Sequence, residues 1–231
     1  MSLIVSPRHT AEDLRAWGTL ARFDAVLALR PSLARATQAA QSEIAQFIAQ
    51  GPAYVGVSWG KDSVVVAHLA RLVSADIPLV WVRVGNEREN PDCVLVRDAF
   101  MARFPGAYDE ILVDAPEAGT GSLARGGEIA GGRYGHRYVS GVRAEESRTR
   151  ALRVATYGLS TDSTCAPIGR WSGVDVFAYL ARYDLPVHPA YACTYGGVLD
   201  RCRVRVAPTG GDPGRGHGRA EWERAYYGPG S

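Results

Sequence analysis

A short apolar run, a glycine-containing turn and a second apolar run follow one another in this chain. The first run, residues 53–57, follows a Gly-Pro break and is typical of a buried strand. The second run, residues 63–74, is apolar nearly all round, as in a helix packed on a sheet. The order strand, turn, helix directs the free N–H groups of the helix start into the turn. These groups and the helix dipole favour an anion, and in particular a phosphate, at that point.

The turn between the two runs contains Lys61, the only lysine among 26 basic residues. A compact ammonium on a flexible stem fits a glycine-lined turn in which a planar guanidinium has less room. Hydroxyl groups on either side can donate to phosphate oxygens, and a neighbouring carboxylate can hold a metal ion against them. The alternative is an ordinary left-handed turn with a surface lysine. The turn consists of Ser58, Trp59, Gly60, Lys61, Asp62 and Ser63.

These six residues resemble the PP-loop, Ser-x-Gly-Lys-Asp-Ser, of the N-type ATP pyrophosphatases and of the adenylyl-sulfate and phosphoadenylyl-sulfate (PAPS) reductases. Only Trp59 departs from the commonest form, which has a second small residue there. The turn is not a Walker loop, since the glycine four residues before Gly60 lies in the strand. The resemblance implies that residues 58–63 bind a nucleotide, with Lys61 as a catalytic residue and Asp62 as the metal ligand.

Further strands and helices alternate along the chain. This order predicts βαβ units and an α/β fold: a three-layer αβα arrangement with a mostly parallel, twisted, Rossmann-like sheet. Ligands then bind beyond the carboxyl ends of the strands, where residues 58, 85–87 and 114 fall. The predicted helices are residues 10–30, 32–50 and 91–103, and the predicted strands are residues 53–57, 78–84, 108–114 and 138–142.

We expect three regions in the chain. Residues 1–50 form an N-terminal pair of helices, the first capped by Thr10, which packs on one edge of the sheet or at a homodimer contact. Residues 51–200 form the PP-loop nucleotide-binding domain. Residues 201–231 form a flexible Gly/Pro-rich tail with six arginines against three acidic residues. That surplus favours an anionic partner such as nucleic acid, or indicates only a solvated tail.

Seven glycines lie within residues 119–135. Such a stretch holds regular structure only at an entropic cost. Two interpretations stay open: a mobile lid over the site, or a disordered surface insertion.

A second block, from Gly141 to Arg150, looks like the second signature of the PAPS reductase family, Gly-Val-Arg-x-x-Glu-Ser-x-x-Arg. From the residues alone, Arg143 and Arg150 lie on roughly one face of a predicted helix, and Glu146 with Arg150 suits an ordinary surface ion pair. A third block, residues 166–191, also resembles that family. The resemblance implies an adenine nucleotide alpha-hydrolase fold, in which Gly141 contacts the nucleoside through its backbone and both arginines bind phosphate.

The four cysteines set limits on this resemblance. There is no Cys-x-x-Cys pair and no C-terminal Glu-Cys-Gly-Leu-His segment, so we predict no iron–sulfur cluster and disfavour the usual reductive chemistry. Cys202 is a candidate thiol, because its arginine neighbours can lower its pKa. Buried thiols and a persulfide or metal site formed by Cys165, Cys193 and Cys202 remain alternatives.

The resemblance implies an enzyme that uses ATP and Mg²⁺ and cleaves ATP between the α and β phosphates, with Lys61, Arg143 and Arg150 as catalytic residues. Among relatives, the chain looks most like the short ATP pyrophosphatases of bacterial DNA phosphorothioation and of phage-borne systems. Their acceptor is implied to be the DNA backbone, and their sulfur donor a cysteine desulfurase. The alternatives are an adenylyl-sulfate or PAPS reductase and a nucleotide-binding subunit without turnover.

Composition is that of a soluble globular protein, with 46% hydrophobic and 22% charged residues. No apolar run reaches membrane-spanning length, and the N-terminus has no charged-then-apolar signal pattern. We therefore expect a cytoplasmic protein without a membrane partner.

Overall fold

The computed structural model describes residues 1–84, 92–113, 121–193, 200–202, 204 and 206. Residues 85–87 and 114, and the predicted tail beyond residue 206, lie outside the described residues. The helices are α1 (Ala11–Leu27), α2 (Pro31–Ile48), α3 (Lys61–Val73), α4 (Asp92–Arg103), α5 (Gly121–Tyr134), α6 (Arg148–Tyr157) and α7 (Gly173–Arg182). The strands are β1 (Ser2–Leu3), β2 (Tyr54–Gly56), β3 (Leu79–Val84), β4 (Tyr108–Val113), β5 (Tyr138–Val139), β6 (Thr164–Cys165) and β7 (Pro186–Val187). Within the described residues, no helix is both long and apolar enough to cross a bilayer.

The central sheet has the strand order β4-β3-β2-β5-β6, and every pair in it is parallel. A separate parallel pair joins β1 to β7. Helices cover both faces of the sheet, which confirms the predicted αβα class. The chain adds β3 and β4 on one side of β2 and then returns to add β5 and β6 on the other. The order therefore reverses between β2 and β5, and in such sheets the ligand crevice lies at that point.

Two hydrophobic clusters fill the two sides of the sheet. Leu79 and Trp81 of β3 belong to the larger cluster, together with residues of α1, α2, α3, α4 and α7. Val80, between them, belongs to the smaller cluster with Ala130 of α5. Successive side chains of a strand point to opposite faces, so β3 supplies both clusters and reads as a continuous apolar run.

The two N-terminal helices form as predicted and pack into the larger cluster. Thr10 and Asp13 form a reciprocal cap at the start of α1, and Pro31 occupies the first turn of α2. Helix α1 contacts α7, and α2 contacts α3 and α7. These helices therefore cover α3 and α7 on one face of the sheet, and the predicted homodimer contact stays a prediction.

In its described part, from residue 121 onward, the glycine-rich stretch is neither the lid nor the disordered insertion that the sequence left open. Residues 121–134 form helix α5, which packs on β3 and β4. Gly126 explains why glycine is used, since a Cβ there would lie 3.1 Å from the Cβ of Val82 and closer still to both of its methyl carbons. The absence of a side chain lets the helix approach the sheet. The glycines thus serve close packing, which sequence composition alone cannot distinguish from disorder.

We expect Gly126→Ala to destabilise the protein by about 1–3 kcal/mol, because the added methyl overpacks the contact with Val82. The adjacent Gly127 is a matched control, since a Cβ there meets nothing within 4 Å. Gly127→Ala should be neutral or slightly stabilising through helix propensity. Urea unfolding of the two variants tests this, and equal stability would contradict the packing explanation.

Arg71 of α3 joins the loops that precede β3 and β4. Its guanidinium is buried and donates to the carbonyl oxygens of Ala75 (2.5 Å), Ile77 (2.7 Å) and Ala107 (2.7 Å). Gly106 lies against it at a φ of 147°, where a Cβ would be 2.7 Å from the guanidinium carbon. One side chain therefore fixes the amino ends of two neighbouring strands.

Candidate functional site

The PP-loop lies where the strand order reverses. Residues 58–63 follow β2, and residues 140–143 follow its neighbour β5. The two segments are in close contact, since a Cβ on Gly141 would lie 3.0 Å from the Asp62 carbonyl oxygen and from the Ser63 nitrogen. The predicted site residues 58–63, Gly141 and Arg143 are thus brought together at the carboxyl end of the sheet. The contact also gives Gly141 a packing reason to be glycine.

Ser63 organises the loop from within. Its hydroxyl accepts a hydrogen bond from the Ser58 nitrogen (3.2 Å) and donates one to the Gly60 carbonyl (3.0 Å). Gly60 is the N-cap, and α3 begins at Lys61. The first N–H groups of α3 have no acceptor within the helix, an arrangement that favours an anion at a helix start. In this conformation the Ser63 hydroxyl supports the shape of the loop and is not directed to a ligand.

Trp59, the departure from the common PP-loop, has a left-handed backbone with a φ of 59°. That conformation suits glycine and costs other residues about 1 kcal/mol or more. Its indole is fully buried against the rings of Phe100 (5.6 Å between centroids) and Tyr108 (5.8 Å). The large side chain therefore points away from the turn into the core, and burial offsets the backbone cost.

The side chain of Lys61 is enclosed by the protein, and only 1% of it is exposed. Its Nζ donates to Asp62 Oδ2 (3.0 Å) and to the carbonyl oxygen of Val204 (3.2 Å), and lies 5.2 Å from the centre of the Tyr191 ring. Burial alone would lower the pKa of this ammonium, but Tyr191 and Asp62 raise it above its ordinary value. The site therefore contains a fixed, desolvated positive charge.

Tyr191 also contacts the backbone of the loop. Its hydroxyl oxygen accepts a hydrogen bond from the Lys61 N–H (3.1 Å), and burial raises the pKa of the phenol. A Cβ on Gly60 would lie 3.2 Å from this hydroxyl. Sequence reasoning missed both Tyr191 and Val204 as neighbours of Lys61. Tyr191 falls in the third family-like block, and no sequence signal singled out Val204.

Arg143 is bound to the PP-loop through Asp62. The guanidinium is 1% exposed, and its Nε donates to Asp62 Oδ1 (2.7 Å). Its Nη1 donates to Glu145 Oε2 (2.5 Å) and to the Trp171 carbonyl (3.3 Å). The same Glu145 oxygen accepts the first N–H of α7, from Gly173 (2.6 Å). Charges of alternating sign thus connect the loop to the start of α7.

Arg150 of α6 is held in an ion pair by Glu146, which lies four residues earlier and outside that helix. The predicted single helix from residue 143 was wrong: Arg143 is extended, residues 144–146 form a 3-10 helix, and α6 begins only after Ser147, whose side chain caps it. The cause is local, since Ser147 accepts from the Arg150 nitrogen and Glu146 accepts from the Arg143 nitrogen. Arg143 and Arg150 therefore do not share a helical face.

Asp62 does not form a magnesium site in this conformation. Each of its carboxylate oxygens accepts from a cation, one from Lys61 and one from Arg143. Among the described residues, no three His, Cys, Asp or Glu side chains converge as metal ligands would. A divalent cation needs oxygen ligands without competing positive charge. The donor set therefore does not fit a metal held by the protein, and the predicted role of Asp62 requires release from both cations.

Three of the four thiols have raised pKa values. Burial, and then Asp200, raise the pKa of Cys202 to about 11, against the expectation that its arginine neighbours would lower it. Burial likewise raises the pKa of Cys165 to about 11 and that of Cys193 to about 12. Since the thiolate is the nucleophile, the structure gives no support to Cys202 as a reactive thiol. Cys202 instead packs on Gly173, where a Cβ would lie 2.6 Å from that of the cysteine.

No family model matches the sequence, and no curated protein matches it. Solved structures do match. FMN adenylyltransferase from Candida glabrata in complex with ATP is 14% identical, with a TM-score of 0.53 over 69% of this chain and 58% of that one. Its complex with FAD and inorganic pyrophosphate gives 16% identity and a TM-score of 0.51 over 69% and 59%. The chain has the adenine nucleotide alpha-hydrolase-like fold.

Other solved enzymes match over different shares of the chain. PAPS reductase from Candida auris in a phosphate complex is 13% identical, with a TM-score of 0.48 over 81% of this chain and 92% of that one. The U34-tRNA thiolase NcsA from Methanococcus maripaludis is 13% identical, with a TM-score of 0.49 over 64% of each chain. At these identities the likeness to the solved structures extends to the fold alone.

Proposed function

We propose that this protein is an ATP pyrophosphatase that cleaves ATP between the α and β phosphates and adenylates an acceptor. One observation carries the proposal: the only lysine of the chain begins α3 at the carboxyl end of the central strand, with its ammonium enclosed and charged. A buried cation at the start of a helix, at the reversal point of a parallel sheet, suits the polyphosphate of a nucleotide.

In the proposed reaction an acceptor oxygen attacks the α-phosphorus of ATP. A bond forms between them, the bond to the α,β-bridging oxygen breaks, and pyrophosphate leaves with that electron pair. Lys61 and the first N–H groups of α3 bind the leaving group and neutralise its growing charge, which is a contribution by positioning and electrostatics. The desolvated position of Lys61 strengthens this effect, because charges interact more strongly out of water.

Arg143 and Arg150 are proposed as further phosphate ligands. In the present conformation each is paired with carboxylates, Arg143 with Asp62 and Glu145, and Arg150 with Glu146. Binding phosphate therefore requires each arginine to exchange its carboxylate for the ligand. Magnesium, when bound, neutralises phosphate charge. We assign its coordination to the nucleotide itself, since Asp62 is already shared by two cations.

We propose that adenylation activates the acceptor for sulfur transfer, with the DNA backbone as the acceptor and a cysteine desulfurase as the donor. This step rests on the sequence resemblance to the ATP pyrophosphatases of DNA phosphorothioation. A separate sulfur donor agrees with three of the thiols, because burial raises the pKa values of Cys202, Cys165 and Cys193. The same raised pKa values argue against the reductase alternative.

Two ATP analogues test the position of cleavage. With Mg²⁺ and acceptor, β,γ-imido-ATP should still yield AMP and imidodiphosphate, whereas α,β-methylene-ATP should resist, because only the second blocks the bond that breaks. ADP with phosphate as the products of ATP would contradict the proposal. Tight ATP binding without any product, with DNA and desulfurase present, would identify a nucleotide-binding subunit instead.

The origin of the oxygen in AMP tests the acceptor. In ¹⁸O-labelled water, direct hydrolysis places the label in AMP, while transfer to an acceptor oxygen first yields an unlabelled adenylated acceptor detectable by mass. An adenylated oligonucleotide would support a DNA acceptor. Sulfite formation from an adenylyl sulfate, lost on Cys202→Ser, would favour the reductase.

A further inference from the structure

Part of the predicted tail lies over the PP-loop. Cys202 and Val204 follow the buried Arg201, and Val204 and Val206 are only 5% and 7% exposed within the larger hydrophobic cluster. We call Arg201, Cys202, Val204 and Val206 the strap. The sequence had placed the end of the packed domain at residue 200, ahead of all four.

The strap binds the Lys61 ammonium, which is the hydrogen-bond donor proposed for the phosphate. The Val204 carbonyl accepts a hydrogen bond from Lys61 Nζ (3.2 Å), and the Val206 carbonyl would lie 3.5 Å from a Cβ on Gly60. Next to it, the Tyr191 hydroxyl accepts from the Lys61 N–H (3.1 Å). Besides its ion pair with Asp62, the ammonium therefore binds a neutral oxygen of the protein itself, as does the first N–H of the helix.

The strap is held at its other end by a buried ion pair. Arg201 Nη2 donates to Asp24 Oδ1 of α1 (2.6 Å), and the two side chains are 7% and 1% exposed. The guanidinium also stacks 4.0 Å from the ring of Phe177. This anchor lies on α1 and α7, outside the PP-loop, so the strap crosses from the N-terminal helices to the loop.

Between anchor and loop, the strap passes the start of α7. Cys202 lies against Gly173, where any Cβ would come 2.6 Å from the Cβ and 3.1 Å from the sulfur of the cysteine. The closed position of the strap therefore depends on glycine at residue 173. This contact gives a way to displace the strap without changing any residue of the PP-loop.

We propose that the strap is a displaceable cover that competes with the nucleotide for Lys61, so that binding exchanges the Val204 carbonyl for a phosphate oxygen. The proposal rests on the proposed nucleotide-binding function of the loop. The exchange is favourable because an ammonium binds a charged phosphate oxygen more strongly than a neutral carbonyl oxygen. Since only molecules with an open strap bind, the apparent affinity for the nucleotide is the intrinsic affinity multiplied by the open fraction.

The reactivity of Cys202 reports strap position independently of catalysis. The other three cysteines are buried, and Cys202 moves with the strap. Pyrophosphate or ATP should therefore accelerate alkylation of Cys202 by iodoacetamide by about threefold or more, as expected for ligand-driven local opening. Peptide mass spectrometry of the full chain, with and without inorganic pyrophosphate, measures the rate at each cysteine. Protection of Cys202 by a bound ligand, or an unchanged rate, would overturn the proposal.

Gly173→Ala should open the strap without a ligand. The variant should alkylate faster at Cys202 and bind ATP about tenfold more tightly in calorimetry, because the cost of opening is removed. Gly18→Ala is the matched control, since a Cβ on this α1 glycine meets nothing within 4 Å and both measurements should equal those of the wild type. Asp24→Asn, which weakens the anchor, should change both measurements in the same direction as Gly173→Ala.

The outcomes separate the strap from the function. If the wild type binds ATP and Gly173→Ala binds it no better, the strap proposal fails and the nucleotide site stands. If neither protein binds ATP or pyrophosphate although Gly173→Ala exposes Cys202, the strap opens as described but the proposed nucleotide site is wrong.

Discussion

Lys61→Ala should lower pyrophosphate release from ATP about 100-fold or more, the usual cost of removing one preorganised charge from a transition state. The ammonium is 1% exposed, and no second lysine exists in the chain to replace it. Asp62 keeps its bond to Arg143 in the variant, so the fold should remain intact. The measurement is kcat/KM for pyrophosphate formation, with circular dichroism as the check on folding.

Lys61→Arg is the matched control for charge. Asp62, Tyr191 and Val204 surround the buried ammonium, so a planar guanidinium should not restore activity and a loss of about tenfold or more is expected. If positive charge alone were sufficient, the arginine variant would approach the wild type. Wild-type turnover by the alanine variant would remove Lys61 from the mechanism.

Trp59→Ala should destabilise the protein by about 3–5 kcal/mol, the usual cost of emptying a fully buried tryptophan site. Trp59→Gly should be the more stable of the two variants by about 1 kcal/mol, because the residue has a φ of 59° and glycine adopts it without strain. Chemical unfolding of the three proteins measures both differences. Unfolding free energies that rank alanine above glycine would contradict the strain argument.

Trp81 supplies the control for that order. It is equally buried but lies in the extended strand β3, where glycine loses more conformational entropy than alanine. Trp81→Gly should therefore be less stable than Trp81→Ala, by about 0.5–1 kcal/mol. If the glycine variant is the more stable at Trp59 and the alanine variant the more stable at Trp81, the difference at Trp59 is due to its backbone conformation.

The sequence predicted the elements whose signals are local. The PP-loop turn, the Thr10 cap and the alternation of strands and helices all follow from residues close in sequence, and the structure contains each of them. Helix α5 was missed because the reason for Gly126 is Val82, which lies in a strand more than forty residues earlier. A glycine that allows close packing and a glycine that loosens a loop look the same in a sequence.

The candidate site was predicted as a set of residues but not as a set of contacts. The family-like blocks brought Asp62 and Arg143 into one proposal, yet nothing in their spacing indicated that they bind each other. The contacts of Lys61 with Tyr191 and Val204 span 130 and 143 residues. Pairings over such separations are set by the packing of the whole domain, which residue patterns along the chain do not contain.

Because of Arg71, the amino ends of β3 and β4 differ from their carboxyl ends. Its three bonds to main-chain oxygens brace the loops below β3 and β4, while the groups that would meet a ligand lie beyond the opposite ends of the strands. Bracing of these two loops keeps the register of β3 and β4 constant. The movement that would admit a substrate can then be confined to the carboxyl ends of the strands and need not change the strand pairing at their amino ends.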